Sequence, residues 1–136
     1  MKSILALDVG ERRIGVAAAN SIARIASPLT TLINEGDIAA TISRLVAEQN
    51  ASKLVLGLPR GLSGQDTGQT QWVKDFGNSI EIAVGVPLYW QDEAVTSAQA
   101  EAELKSRGKP YVKADIDALS ATYILEDFLR DNPGDF

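Results

Sequence analysis

The 136-residue chain has no cysteine and no histidine. Without cysteine there is no disulfide, no thiolate zinc site and no thiol nucleophile. Without histidine there is no Ser-His-Asp triad, no HExxH zinc site and no haem ligation through imidazole. Proton or metal chemistry must then rest on carboxylates, lysine, tyrosine, hydroxyls or water. Long apolar runs are also missing. The longest stretch, around residues 80–90, is interrupted by Glu81 and Pro87, and a membrane-spanning helix needs roughly 20 apolar residues. The opening Met-Lys-Ser-Ile-Leu-Ala-Leu-Asp is charged too soon for a signal peptide. The expectation is a soluble, cytoplasmic protein. A basic excess is absent too: thirteen Lys and Arg stand against eighteen Asp and Glu, a formal net charge of −5. That weighs against a sequence-blind coat for nucleic acid, which needs a basic face.

What is there has the size of one domain, residues 1–136, able to fold on its own core. The acid excess is local. Residues 1–114 hold twelve acids and twelve bases, whereas residues 115–136 hold six acids and only Arg130. Just before that tail, Lys105, Arg107, Lys109 and Lys113 follow one another with no acid among them. The run reads either as a solvated helix end and loop or as a phosphate-contacting surface.

Hydrophobic periodicity gives the order β-β-β-α-β-α-β-α-α. Residues 3–9 read as a buried strand, 14–19 as a second, and 22–33 as a third that Pro28 places at an edge or bends. Residues 37–49 have helical spacing, and 53–58 form a compact apolar strand. A glycine-bearing loop over 60–68 leads to a helix over 70–84 with Trp72, Phe76 and Ile80 on its stripe. Residues 87–91 form a fifth strand. Helices follow over 96–107 and 117–129, with Thr96 or Ser97 as the N-cap of the first. An antiparallel opening meander followed by strand–helix alternation implies a mixed five-stranded sheet with helices on both faces.

Several carboxylates look misplaced. Asp8 stands near the end of a buried strand, where it either caps the following turn or joins a site that compensates its charge. Asp92 and Glu93 follow directly on the fifth strand, and in open α/β sheets ligands collect at the carboxyl ends of strands. Asp115 and Asp117 precede the last helix, whose first turn favours negative charge in any case. Singly, each has a local explanation. Jointly, acids from three separate elements could converge on one oxygen-rich site, suited to Mg²⁺ or Mn²⁺. Two such ions about 4 Å apart clamp the attacking and leaving oxygens in phosphoryl transfer and activate water without a histidine base.

These residues carry a family resemblance. Leu5-Ala-Leu-Asp8-Val-Gly10-Glu-Arg-Arg13-Ile-Gly15-Val-Ala17 resembles the opening motif of the YqgF/RuvX family of RNase H-like, Holliday-junction-resolvase-like nucleases. Val55-Leu-Gly57-Leu-Pro59 with Gly64 beyond it, Asp92-Glu93-Ala-Val-Thr96-Ser97, and Asp117-Ala-Leu-Ser120-Ala121-Thr-Tyr-Ile124-Leu125 resemble three further motifs of that family, in its order. The resemblance implies an α/β, RNase H-like three-layer α/β/α fold with a mixed five-stranded sheet. It implies Asp8, Glu93 and Asp117 as catalytic metal ligands for two Mg²⁺ or Mn²⁺ ions, with Asp92 and Asp115 as secondary candidates. It also implies hydrolysis of phosphodiester bonds, with 5′-end maturation of the 16S ribosomal RNA precursor as the favoured role. Branched DNA is the alternative substrate. Two departures stand out: Ala94 where the family usually has Arg, and Ser120 where it usually has Ala.

Beside the acids, Arg13, Arg60, Gly61 and the Lys105, Arg107, Lys109 and Lys113 run are the candidate phosphate contacts. Gly10 and Gly15 permit a tight turn and close backbone approach. Gly57, Pro59, Arg60 and Gly61 read as a loop whose amides, with the helix N-terminus behind it, suit a phosphate oxygen. Two other readings compete: a fragment related to actin-like ATPases, for which the chain is short and shows only one phosphate motif, and a non-catalytic RNA-binding module. Monomer and homodimer are both open.

Overall fold

Strand alternation sets the architecture. In the computed structural model, which describes residues 2–93 and 96–134 and only the backbone of 96–98, β1 spans Ser3–Val9. Its Leu5, Leu7 and Val9 enter one core, and its Ile4 and Ala6 enter another on the opposite face. A strand covered on both faces has no solvent side to pattern, hence the unbroken apolar run. The two-residue period puts Asp8 on the face of Ile4 and Ala6.

β2 (Arg13–Asn20) pairs antiparallel with β1, and β3 (Ser27–Ile33) antiparallel with β2. β4 (Ala51–Pro59) and β5 (Leu88–Glu93) add on in parallel, giving the order β3-β2-β1-β4-β5. The mixed five-stranded sheet expected from the sequence is therefore present. Pro28 sits on the edge strand, opposite Ala17, where the β2–β3 register shifts. The third strand is shorter than the expected 22–33. Asn20 Oδ1 accepts from the amides of Ile22 and Ala23 at 3.0 and 2.6 Å, and Arg24 has φ 54°. This asparagine-closed turn diverts the chain before β3 begins.

Helices α1 (Ile38–Glu48) and α2 (Gly68–Val84) cover the Leu5/Leu7 face. The buried stripe of α2 is Val73, Gly77, Ile80 and Val84, while Trp72 and Phe76 are half-buried and stacked at 6.1 Å. The expected Trp72/Phe76/Ile80 stripe is thus rotated. Position 77 takes a glycine because a Cβ there would lie 2.3 Å from the Trp90 ring.

Helix α4 (Lys113–Asp131) covers the other face through Ala121, Ile124, Leu125 and Phe128, and α3 (Thr96–Ser106) packs on α4 through Ala100 and Leu104 against Leu119. α4 begins a turn earlier than expected. Asp115 Oδ2 accepts from the Val112 amide at 2.9 Å, half of a capping box, so Lys113 opens the helix instead of ending a loop. Thr96, Ser97 and Ala94 raise expectations that fall on side chains outside the described residues. Among the described residues no helix is long and apolar enough to cross a membrane.

Ser120, the departure from the usual alanine, is fully buried on α4, and its Oγ has no hydrogen-bond partner. An unsatisfied buried hydroxyl costs about 1–3 kcal/mol. Ser120→Ala is therefore expected to stabilise the protein by about 1 kcal/mol, seen as a melting temperature several degrees higher.

Candidate active site at the carboxyl ends of the parallel strands

The ends of β1, β4 and β5 meet the start of β2 and the N-termini of α2 and α4. Thr70 Oγ1 bonds to the Pro59 carbonyl and joins α2 to the end of β4, while Thr31 Oγ1 donates to the Ala114 carbonyl at 2.7 Å and joins α4 to β3. Asp8 lies one residue before the end of β1. Its partner across the β1–β2 ladder is Gly15. On the other side Leu7 is level with Leu56, so Gly57 is the next residue alongside Asp8.

Glycine flanks Asp8 on both sides for a steric reason. A Cβ on Gly15 would stand 1.9 Å from the Asp117 carbonyl oxygen. A Cβ on Gly57 would stand 2.5 Å from Ile124 Cδ1 and 2.7 Å from Glu93 Oε2. Gly15 thus lets the first turn of α4 lie on β2, and Gly57 gives the Glu93 side chain room beside β1. Gly57 lies in strand β4, within the strand expected over 53–58, and the strand runs on through Pro59, so the phosphate-binding loop expected from Gly57 starts only at Arg60. The role of Gly57 is to leave space. The signal was available: a hairpin turning around residues 10–12 pairs position 8 with position 15.

Asp8 and Glu93 share a hydrogen bond. Burial, then the charge and hydrogen bond of Glu93, then the charge of Asp117, push the Asp8 carboxyl well above the usual carboxylate range. Asp117 is engaged by a cation, its Oδ2 accepting from Arg13 Nε at 2.6 Å, with the Asp117 and Arg13 side chains 20% and 33% exposed. Among the described residues no three Asp or Glu stand in an arrangement that could hold a metal ion. Asp8 and Glu93 are together, and Asp117 is near enough to be felt but is held by Arg13.

The secondary candidates have other partners, although Asp92 shares a cleft with Glu93. Asp92 is exposed and accepts from Arg60 Nε at 3.1 Å. Arg60 also pairs with Asp66, which in turn takes Lys74 at 3.2 Å. Asp115 closes the α4 cap.

Two clefts flank the acids. One, of about 570 Å³, lies between residues 59–64 and the end of β5, with Arg60, Gly61 and Glu93 on its wall. The Gly61 amide donates to the Gln65 carbonyl at 2.8 Å, which tightens this loop. The other, of about 500 Å³, has Arg12, Arg13, Lys113 and Asp117 on its wall. The basic run expected to act together is divided. Lys113 joins the second cleft, whereas Arg107 and Lys109 line a separate hollow of about 260 Å³ with Tyr111 and Pro28. Lys105 is exposed on α3, and Arg107 is paired with Glu103 at 2.6 Å.

Comparisons with known proteins give the family and the fold. The family model described as "RuvX: Holliday junction resolvase" matches residues 2–131. A Chloroflexus aurantiacus protein named "Putative pre-16S rRNA nuclease" is 44% identical over 137 aligned positions, covering 96% of this chain and 90% of its own length. A Synechocystis protein of the same name is 38% identical over 130 positions, covering 92% and 85%. Among solved structures, Thermus thermophilus RuvC in complex with a Holliday junction substrate superposes with a TM-score of 0.60 at 16% identity, over 96% of both chains. The fowlpox virus resolvase bound to Holliday junction DNA gives 0.56 at 8% identity, over 95% of this chain and 97% of that one. At such identities the likeness is one of fold, the RNase H-like arrangement of resolvases.

Proposed function

The chain belongs to the RuvX family, and on that premise we propose that it is a metal-dependent nuclease acting on the precursor of 16S ribosomal RNA at its 5′ end. The observation that carries the reading is the Asp8–Glu93 carboxyl pair, faced by Asp117, at the carboxyl edge of the parallel strands. Three acids cannot approach a phosphate backbone without cations to offset them. The donor set is all carboxylate, which suits Mg²⁺ or Mn²⁺. Burial first, and then the charges of Glu93 and Asp117, raise the Asp8 pKa, and a bound cation would offset the part that comes from those charges.

Asp8, Glu93 and Asp117 would hold the ions. Bound there, divalent ions supply charge neutralisation at the scissile phosphate and activation of water, the work that a missing histidine cannot do. The chain's own residues do the rest. Arg12, Arg13 and Lys113 present cations along one cleft and Arg60 along the other, so that a backbone crossing the acids is gripped on both sides. Few cations are involved, so non-specific affinity is weak and binding depends on metal and on substrate shape. The pre-16S rRNA nuclease name of the relatives favours structured RNA over branched DNA. A cytoplasmic location goes with that substrate.

The test is cleavage by the purified protein of a transcript spanning the 16S 5′ end, beside a four-way DNA junction, with Mg²⁺, with Mn²⁺ and with chelator. The expected result is a discrete cut in the RNA with either metal and none with chelator. Cutting of the junction alone would move the assignment to branched DNA. RNA binding without any cutting would make the chain a non-catalytic module.

A further inference from the structure

Asp117 is engaged by a cation of the chain itself. Its carboxylate takes the Arg13 guanidinium at 2.6 Å, a charge-assisted bond with both side chains partly shielded from water. The pair bridges β2 and α4, and among the described residues the three acids do not form a metal-holding group. Arg13 also lines the open cleft of about 500 Å³ in which Arg12 and Lys113 stand beside Glu11 and Asp117, a wall whose cations outnumber its acids and which a backbone phosphate can approach. A guanidinium that can reach either a carboxylate or a phosphate faces a competition, and a phosphate in a cationic cleft matches its planar fork in two hydrogen bonds.

We infer that Arg13 is a phosphate-operated latch on Asp117: it holds the carboxylate back from the metal site until a phosphate of the nucleic acid takes the guanidinium. The inference rests on the carboxylate metal site proposed above and adds its regulation. Without nucleic acid, Asp8 and Glu93 alone bind the ion weakly. With a phosphate on Arg13, Asp117 is released and the ligand set closes. Linkage then requires nucleic acid and metal to raise each other's affinity by the same factor. Hydrolytic competence is thereby confined to the substrate-bound protein.

The test counts metal, not turnover. Mn²⁺ binding is measured by calorimetry or by the electron paramagnetic resonance of free Mn²⁺, with and without a short RNA duplex carrying non-cleavable linkages. Wild type is compared with Arg13→Gln and Arg12→Gln. Arg12→Gln removes an equal charge from the same cleft and controls for the general electrostatic effect. Thermal melts establish that the variants are folded.

In wild type the duplex is expected to tighten Mn²⁺ binding about tenfold, the worth of one charge-assisted hydrogen bond. Arg13→Gln is expected to bind Mn²⁺ about tenfold tighter than Arg12→Gln in the absence of RNA, and to gain little more from the duplex. If Arg13→Gln tracks Arg12→Gln, or binds Mn²⁺ more weakly than wild type, Arg13 is no latch and the inference is overturned. If wild type binds no Mn²⁺ even with the duplex, the carboxylate metal site itself fails, and the inference with it.

Discussion

Asp8→Asn is expected to lower the single-turnover cleavage rate by about a thousandfold or more while leaving the protein at least as stable as wild type. The two halves of that outcome have one cause. Asp8 is the acid that faces both of the others, so an amide there removes the charge that ions would share with Glu93 and Asp117. Buried and set against Glu93 and Asp117, the same charge opposes folding.

A carboxyl whose pKa is raised on folding binds its proton more tightly in the folded than in the unfolded chain. Its contribution favours the fold at low pH and is lost as pH rises from the unfolded value of 3.8 through the raised folded value. Asparagine has no proton to lose there. Melting temperatures of wild type and Asp8→Asn, compared without metal, should coincide at acid pH once general offsets are removed. They should separate in favour of the variant towards neutral pH. A variant that loses activity and stability together would mean that Asp8 is a structural cap of its turn.

The second large effect is steric. Gly15→Ala is expected to cost at least about 3 kcal/mol and to lower the melting temperature by roughly ten degrees or more. The new Cβ would fall 1.9 Å from the Asp117 carbonyl oxygen and 2.2 Å from its carbon. A Cβ has no rotamer to escape into, so α4 must lift from β2. That movement carries Asp117 away from Asp8, and the folded fraction should be inactive as well. Gly68→Ala is the internal control. Gly68 begins α2 with no neighbouring atom within 4 Å of the point a Cβ would occupy, and alanine there should be neutral or slightly stabilising. Denaturant unfolding of the two variants side by side separates the close approach from a general intolerance of alanine.

The element order was legible because each element carries its own local signal. The unbroken apolar run of β1, the helical spacing of α1 and the proline of an edge strand are all short-range patterns. What was not legible depends on distant partners. Trp72 and Phe76 have the spacing of a core stripe, and only Trp90 on another element explains why a glycine takes the buried position 77 instead. The early start of α4 rests on one side-chain bond from Asp115 to Val112, which reassigns Lys113 from loop to helix.

The candidate site divides along the same line. Acids at strand ends and helix starts are visible in the sequence, but Arg13 and Asp117 are 104 residues apart and nothing local pairs them. The same holds for Arg60, whose pairing with Asp92 and Asp66 is not visible in the sequence and must yield, like that of Arg13, before it meets a phosphate. The acid excess, which first weighed against nucleic acid, has resolved by position. Most of it belongs to α4 and the tail, where Gln91 donates to Asp131 at 3.1 Å and Arg130 pairs with Asp127 and Asp131 at 3.2 Å. The cations proposed to meet phosphate line the two clefts near Glu93 and Asp117.

The most direct test of the central claim, that these three acids form a metal-dependent phosphodiester-hydrolysing site, is anomalous scattering from Mn²⁺ in crystals grown with a non-cleavable RNA duplex. The account predicts two Mn²⁺ peaks, with Asp8, Glu93 and Asp117 all within coordination distance and Arg13 moved to a phosphate. Manganese bound elsewhere, or a site in which these carboxylates touch no ion, would contradict it.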